Sequence, residues 1–308
     1  MKNFIFYAAT VLIWGSTWIG IKLQLGEVVP VVSVMYRFGL ASCILLLWCR
    51  FSGLNLRFKV KEHGFMALQG LLLFGFNYLL FYLAELHLAS GLAAVIFSLI
   101  LPMNMINGAV FLNRPVDGRV VFGGILGITG IVLVFRPEIS AFSLENNGLL
   151  GVTLSLAATF LASLGNITSA YNQKKGLPIV QTNGFGMGYG AIIMLLSALF
   201  FGQPFDFELS FVYVSSLIYL ALFGSVIAFG CYLTLVGNIG ADRAAYATLL
   251  FPIVALAIST VWEDYQWTAS AAIGVGLIML GNLWMLRKEK AVPATQLFSA
   301  SKEKTVKT

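Results

Sequence analysis

The stretch FYLAELHLASGLAAVIFSLILPMNMINGAVFLNRP, residues 81–115, has a second copy in the same chain, CYLTLVGNIGADRAAYATLLFPIVALAISTVWEDY, residues 231–265. At a constant shift of 150 positions the two copies share several residue types: Tyr82 meets Tyr232, Ala94 meets Ala244, Ser98 meets Thr248, Leu99 meets Leu249 and Pro102 meets Pro252. After one added residue, Gly123 and Gly130 meet Gly274 and Gly281. Matched prolines, tyrosines and glycines in one register indicate an internal repeat.

The composition places both copies in a membrane. The 308 residues are 59% hydrophobic and 10% charged, with a mean hydropathy of +0.88, whereas soluble domains carry about 25% charged residues. A soluble chain with so little polar surface could not cover its core, so the apolar excess must face lipid. The sequence predicts an all-α, multi-pass membrane protein.

Hydropathy and the turn residues divide the chain into ten predicted transmembrane helices of about 17 to 25 residues. They lie near 4–23, 31–50, 64–86, 90–112, 118–136, 148–172, 179–202, 211–237, 242–262 and 268–287.

The basic residues predict the orientation. Of the 19 Lys and Arg residues, all but Lys22, Arg37 and Arg136 fall in one alternate set of loops, which includes both termini. By the positive-inside rule both termini are cytoplasmic. The acids Glu27, Glu145 and Asp206 fall in the opposite set of loops. An even number of helices is consistent with this bias.

A repeat of five helices must enter the membrane from the opposite side in its second copy. We therefore expect two inverted repeats, residues 1–137 and 146–287, around a central cavity, followed by a disordered cytoplasmic tail, residues 288–308. Inverted repeats usually place a solute site between the halves, because rocking one half against the other exposes it to each side in turn. The architecture predicts a transporter.

The same residues resemble a known family. The opening WGSTWIGIK at residues 14–22, the pattern at Pro30, Ser33 and 36–38, the start of the fourth helix with Pro102, and the glycine pair of the fifth resemble the EamA domain of the drug/metabolite transporter superfamily. The resemblance covers almost the whole chain and occurs twice. It implies a bacterial inner-membrane carrier with ten helices, whose relatives export amino acids or other small metabolites. The chain departs at Asn113 and Arg114, where the family often has Glu followed by a basic residue.

Two cations border or enter the predicted helices. Lys22, at the outer end of the first helix, is either an interfacial anchor that snorkels to water or a cation that borders the cavity, attracting a carboxylate or pairing with Glu85; the resemblance supports the second alternative. Arg37 lies inside the second helix and cannot lose its charge. We expect it to be a structural charge that pairs with helix-end carbonyls, with substrate contact as the alternative.

The third helix carries a polar stripe at spacings of three and four: Asn77 or Tyr78, then Phe81 or Tyr82, then Glu85. Glu85 is a candidate proton carrier if it is buried, a cavity residue, or an exposed interfacial acid.

The fourth helix and its counterpart carry Pro102 and Pro252, which are predicted hinges or packing kinks, because a proline frees a carbonyl and bends the helix. The predicted cavity residues are completed by a list of further polar and aromatic side chains: Trp14, Ser98, Asn104, Asn166, Tyr232, Tyr246 and Thr248.

Other classes of protein fit less well. The predicted helices hold no catalytic constellation and no metal-ligand cluster, so we predict no enzyme, no metal, no cofactor and no nucleic-acid partner. We expect a carrier for a small organic solute, amino acids leading, in the export direction, with protons as a second partner and a homodimer as one oligomeric state. A drug or toxic-compound efflux carrier and a non-transporting membrane scaffold are the alternatives.

Overall fold

The computed structural model describes residues 2–112, 118–134, 136, 147–239 and 247–286. This part of the chain is helical, with short turns and without a strand. The helices are, in chain order, α1 Lys2–Lys22, α2 Pro30–Phe51, α3 Val60–Glu85, α4 Ser90–Leu112, α5 Gly118–Val134, α6 Asn147–Lys174, α7 Ile179–Phe200, α8 in three segments (Phe211–Ile218, Tyr219–Ile227 and Ala228–Ile239), α9 Ala247–Trp262 and α10 Ala269–Leu286. The predicted tail, residues 288–308, lies outside the described residues.

The helices have the length and surface of membrane spans. Among the described residues, seven helices are long and apolar enough to cross a membrane, and shorter apolar stretches lie within α5, α9 and α10. Large apolar side chains are exposed along one side of α5, including Phe122, Ile125 and Ile128. Such a surface needs lipid around it, as the composition predicts.

Two helices contain π-helical segments that the sequence analysis did not predict. Residues Gly70–Gly75 in α3 and Tyr219–Ile227 in α8 have the wider π geometry. A π segment leaves backbone carbonyls that other donors can reach. In α8 the indole Nε1 of Trp14 donates to the Gly224 carbonyl at 3.3 Å.

The helix α4 changes direction before its proline. The segment Ser90–Phe97 ends at a turn, and a second segment starts at Ile100. Because Pro102 has no amide hydrogen, the carbonyl of Ser98 loses its helical donor. The side-chain amide of Asn282 in α10 replaces it and donates to that carbonyl at 3.1 Å. In contrast, α9 is a continuous helix through Pro252.

Helix packing repeats between the halves. When each helix is paired with the one five places later, the contact of α1 with α9 corresponds to that of α6 with α4, and both are present. The contacts of α3 with α6 and of α8 with α1 correspond in the same way. In addition, α5 packs along α10 and α2 along α7, each helix meeting its own counterpart.

Glycines bring α5 and α10 into backbone contact. A Cβ atom on Gly130 would lie 2.5 Å from the carbonyl oxygen of Gly274, and one on Gly281 would lie 2.6 Å from that of Gly123. Only glycine permits this approach. As residue numbers rise in α5 they fall in α10, so the two helices are antiparallel. The repeat pairs Gly123 with Gly274 and Gly130 with Gly281, and under this pairing each of the two glycine contacts becomes the other.

Candidate functional site

A cavity of about 290 Å³ lies in the middle of the helical bundle. This volume is close to the lower limit for small-molecule sites in proteins, about 300 Å³. The cavity is lined by α1, α3, α4, α6, α8 and α9, so both halves contribute. The lining residues are Trp14, Thr17, Trp18, Ile21, Leu73, Phe74, Asn77, Tyr78, Phe81, Phe97, Ile100, Asn104, Asn166, Phe229, Tyr232, Thr248 and Phe251.

Aromatic rings form most of the cavity wall and contact one another. Trp14 packs against Tyr232 with ring centroids 5.1 Å apart, and Trp18 meets Phe81 edge to face at 5.0 Å. Phe97 joins this second group at 5.5 Å from Phe81. Rings held by such contacts have little freedom to collapse into the space, so the wall keeps its shape at low entropic cost.

Amide and hydroxyl groups supply the polar part of the wall. Asn77 is 2% exposed, and its Oδ1 atom has no hydrogen-bond partner within the described residues. Asn166 Nδ2 donates to Asn104 Oδ1 at 3.4 Å, a long and therefore weak bond. Buried polar atoms are normally paired, so these amides are available to a solute. The lining residues that the structure describes include no charged side chain.

Seven of the predicted cavity residues line this space: Trp14, Asn77, Tyr78, Asn104, Asn166, Tyr232 and Thr248. The structure also adds residues that the sequence analysis did not select, among them Thr17, Trp18 and Phe251. The spacing of Trp14, Thr17, Trp18 and Ile21 places them on one face of α1, but in a membrane protein an aromatic face predicts lipid contact equally well. Tyr246 lies outside the described residues.

Four other predicted residues do not line the cavity. The hydroxyl of Ser98 donates to the Val95 carbonyl at 2.6 Å, because the turn after Phe97 directs it back onto its own helix. Tyr82, Lys22 and Glu85 lie beyond the cavity, toward the end of the bundle where α1 and α3 finish. We refer to this end as the Lys22 end.

Polar contacts join the helices at the Lys22 end. Tyr82 donates its hydroxyl to Gln24 Oε1 at 2.5 Å. Lys22 Nζ donates to the carbonyls of Glu85 at 2.5 Å and Leu88 at 3.3 Å. Lys22 therefore binds the last carbonyl of α3 and a carbonyl of the turn that follows, a favourable position for a cation, rather than the Glu85 carboxylate with which it could have paired.

The carboxylate of Glu263 ties α9 to α4 at the same end. It accepts from the Ser90 amide at 3.0 and 3.1 Å and from the Ser90 hydroxyl. The Ser259 hydroxyl in α9 also donates to it, at 2.6 Å. Because Ser90 is the first residue of α4, the carboxylate sits at a helix N-terminus, where the helix dipole favours negative charge.

Arg37 and Glu85 are fully buried near this end. Arg37 is 1% exposed, with its guanidinium over the Tyr78 ring at 4.6 Å and near that of Phe38 at 5.1 Å. Both carboxylate oxygens of Glu85 lack a hydrogen-bond partner within the described residues. The Nε and Nη1 atoms of Arg37 also lack a partner in this part of the chain. The pairing of Arg37 with helix-end carbonyls stays a prediction.

One family model matches the chain twice, once in each half. The model of the EamA-like transporter family matches residues 1–136 and again residues 149–287. The chain belongs to the EamA-like transporter family. It is therefore a membrane transporter of the drug/metabolite transporter superfamily, as the resemblance of its motifs implies.

Curated EamA relatives match over most of their length. "Probable amino-acid metabolite efflux pump" of Escherichia coli (strain K12) is 24% identical over 307 residues, covering 94% of this chain and 98% of the relative. "Protein PagO" of Salmonella typhimurium is 24% identical, covering 82% and 81%. "Uncharacterized inner membrane transporter YedA" of Escherichia coli (strain K12) is 25% identical, covering 94% of each chain.

A solved crystal structure has the same fold as this EamA chain. The superposition has a TM-score of 0.66 and covers 92% of this chain and 95% of that chain, at 16% sequence identity. The similarity concerns the fold alone.

Proposed function

We propose that the protein is a secondary carrier that moves a small organic metabolite across the inner membrane by alternating access. The central cavity carries this proposal, because it has the size of a small solute and is built from helices of both halves. A rocking motion of the halves would open such a space to one side at a time. The name of the E. coli relative supports amino acids or their metabolites as substrates and export as the direction.

The architecture that we propose for this carrier has ten membrane spans in two inverted repeats, residues 1–137 and 146–287. Its support is the reciprocal packing of α5 with α10 and the correspondence of the other helix pairs. The basic loops support cytoplasmic termini, and the name of the YedA relative supports the inner membrane. In this orientation the Lys22 end faces outward.

Within the cavity, we assign solute binding to the seven lining residues that the sequence also selects. Asn77 offers a free buried acceptor, and Trp14, Tyr78 and Tyr232 offer aromatic surfaces. Pro102 stays the candidate hinge, since α4 is interrupted one turn before it. Glu85 stays the candidate proton carrier, which counterflow with and without a pH gradient would test in a Glu85→Gln variant.

Export of apolar or toxic compounds is the second candidate function. The observation that favours it is the wall of aromatic rings without a charged side chain among the lining residues that the structure describes. Such a wall favours flat, amphipathic solutes and discriminates weakly among them.

The experiment is solute counterflow in proteoliposomes that contain the purified protein. We expect saturable counterflow of at least one metabolite from a panel of amino acids and aromatic compounds, and a loss of more than tenfold in Phe81→Ala. The matched control is Phe200→Ala, whose ring is 84% exposed on the outside of α7. A scaffold or a channel gives no saturable counterflow, and equal effects of the two variants would remove the cavity from the mechanism.

A further inference from the structure

The guanidinium of Arg37 is an unusual group for the interior of a membrane bundle. A guanidinium is not deprotonated in proteins, so Arg37 stays charged although it is buried. Its Nε and Nη1 atoms lie on different edges of the guanidinium plane, and neither has a hydrogen-bond partner within the described residues. A buried charged donor without an acceptor is destabilising by several kcal/mol unless another state of the protein uses it.

Among the described residues, Tyr78 and Gly224 lie near both this guanidinium and the residues that line the cavity. Tyr78 stacks on it at 4.6 Å and is itself a lining residue. Gly224 is the other: a Cβ atom there would lie 3.6 Å from Arg37 Nη2 and 2.7 Å from the methyl group of Thr17, which lines the cavity. A displacement of the Tyr78 side chain would bring an Arg37 donor closer to a solute in the cavity.

Within the described residues, the Nε and Nη1 atoms of Arg37 have no acceptor. Arg37 does interact with Tyr82, electrostatically and through a side-chain hydrogen bond, and with Glu85 electrostatically. Neither oxygen of Glu85 accepts a hydrogen bond from any described residue. A carboxylate of the solute would supply the missing acceptor for Nε or for Nη1, because a charged acceptor binds a charged donor strongly.

We propose that Arg37 is the carboxylate-binding residue of the transport site and that Tyr78 covers it until a solute is bound. The inference rests on the proposed transport function and narrows its substrate class. The substrates are small carboxylates with an aromatic or large apolar side group, which the rings of the cavity receive while Arg37 binds the charged end.

The test compares pairs of probes that differ only in the carboxylate. L-Phenylalanine and L-phenylalaninamide form one pair, L-leucine and L-leucinamide a second, and 3-phenylpropionate and its amide a third. Binding to the purified full-length protein is measured by the change in tryptophan fluorescence, since Trp14 and Trp18 line the cavity. Counterflow of the same probes is measured in proteoliposomes.

For at least one pair we expect the wild-type protein to bind the acid more than tenfold tighter than the amide. In Arg37→Gln the acid should lose more than tenfold in affinity while the Kd of the amide changes less than twofold. Arg37→Lys, which keeps the charge but not the planar donors, should recover part of the preference. Tyr78→Leu should keep the preference, because it removes the cover and not the donor.

Three results would overturn the inference. The first is that no wild-type pair shows a preference for the acid, and the second is that Arg37→Gln keeps the wild-type preference. The third is that acid and amide lose affinity equally in both Arg37→Gln and Arg37→Lys, which would make the residue purely structural. Saturable counterflow of uncharged solutes without a carboxylate preference refutes only this inference. Absence of counterflow for every solute of the wider panel refutes the proposed transport function itself.

Discussion

Replacing Glu263 with glutamine tests whether its carboxylate holds the Lys22 end closed. The variant keeps the shape and one acceptor oxygen but removes the charge that receives the Ser90 amide and the hydroxyls of Ser90 and Ser259. Hydrogen bonds to a charged group contribute about 1.5–3 kcal/mol, and a charge at a helix N-terminus about 0.3–1 kcal/mol. Because glutamine retains part of these contacts, we expect the closed arrangement to become about 2 kcal/mol less stable relative to the open one.

A loss of about 2 kcal/mol corresponds to about a 30-fold rise in the ratio of open to closed molecules. The assay is the rate at which a membrane-impermeant maleimide labels a Leu88→Cys reporter, in a protein without its three native cysteines. Leu88 is 5% exposed and lies beside the contact between Lys22 and α3, so labelling requires opening of this end.

The matched control for this variant is Glu208→Gln. That carboxylate also binds a serine hydroxyl, but the serine is Ser210, two residues along the chain, so no other helix is involved. We expect the control to label at the wild-type rate. The reasoning fails if Glu263→Gln also labels at that rate, or if the control accelerates labelling as much.

Three further variants test other contacts of the fold by thermal unfolding in detergent. Lys22→Met removes one bond to the last carbonyl of α3 and one to the Leu88 carbonyl, and it should lower the free energy of unfolding by about 1–3 kcal/mol. An unchanged Tm would contradict the capping role. Gly130→Val should separate α5 from α10 and abolish the monodisperse protein, whereas Gly124→Val, with no atom near its Cβ position, should not. Asn282→Leu leaves the carbonyl of Ser98 without its donor and should cost about 1–3 kcal/mol, while a wild-type Tm would show that water replaces the amide.

The apolar helices could be predicted because hydropathy marks them directly. The contact of α5 with α10 through the matched glycines was not predicted and follows from the structure. The depth of a residue along its helix was harder to predict. Asn77 and Glu85 share one side of α3, but eight residues advance the helix by about 12 Å. Glu85 therefore lies beyond the cavity that Asn77 lines.

The sequence does not decide which aromatic side chains line the cavity. The sequence leaves Phe81 and Tyr82 as alternatives, and the structure places Phe81 in the cavity wall and Tyr82 behind it, against Gln24. Neighbouring residues of a helix point about 100° apart, so one of them must face elsewhere. Which one faces the solute depends on the packing of α1 against α3, and no local pattern in either helix contains that information.

The two ends of the duplicated bundle are held by different chemistry. Three charged residues, Lys22, Arg37 and Glu85, lie at the Lys22 end. At the opposite end Asn172 donates to Gln69 Oε1 at 3.0 Å, and Gln69 donates to Asn183 Oδ1 at 2.8 Å. These bonds join neutral groups, which bind about half as strongly as charge-assisted pairs. We therefore expect the two ends to differ in their free energy of opening, so that the proposed carrier rests with one side closed.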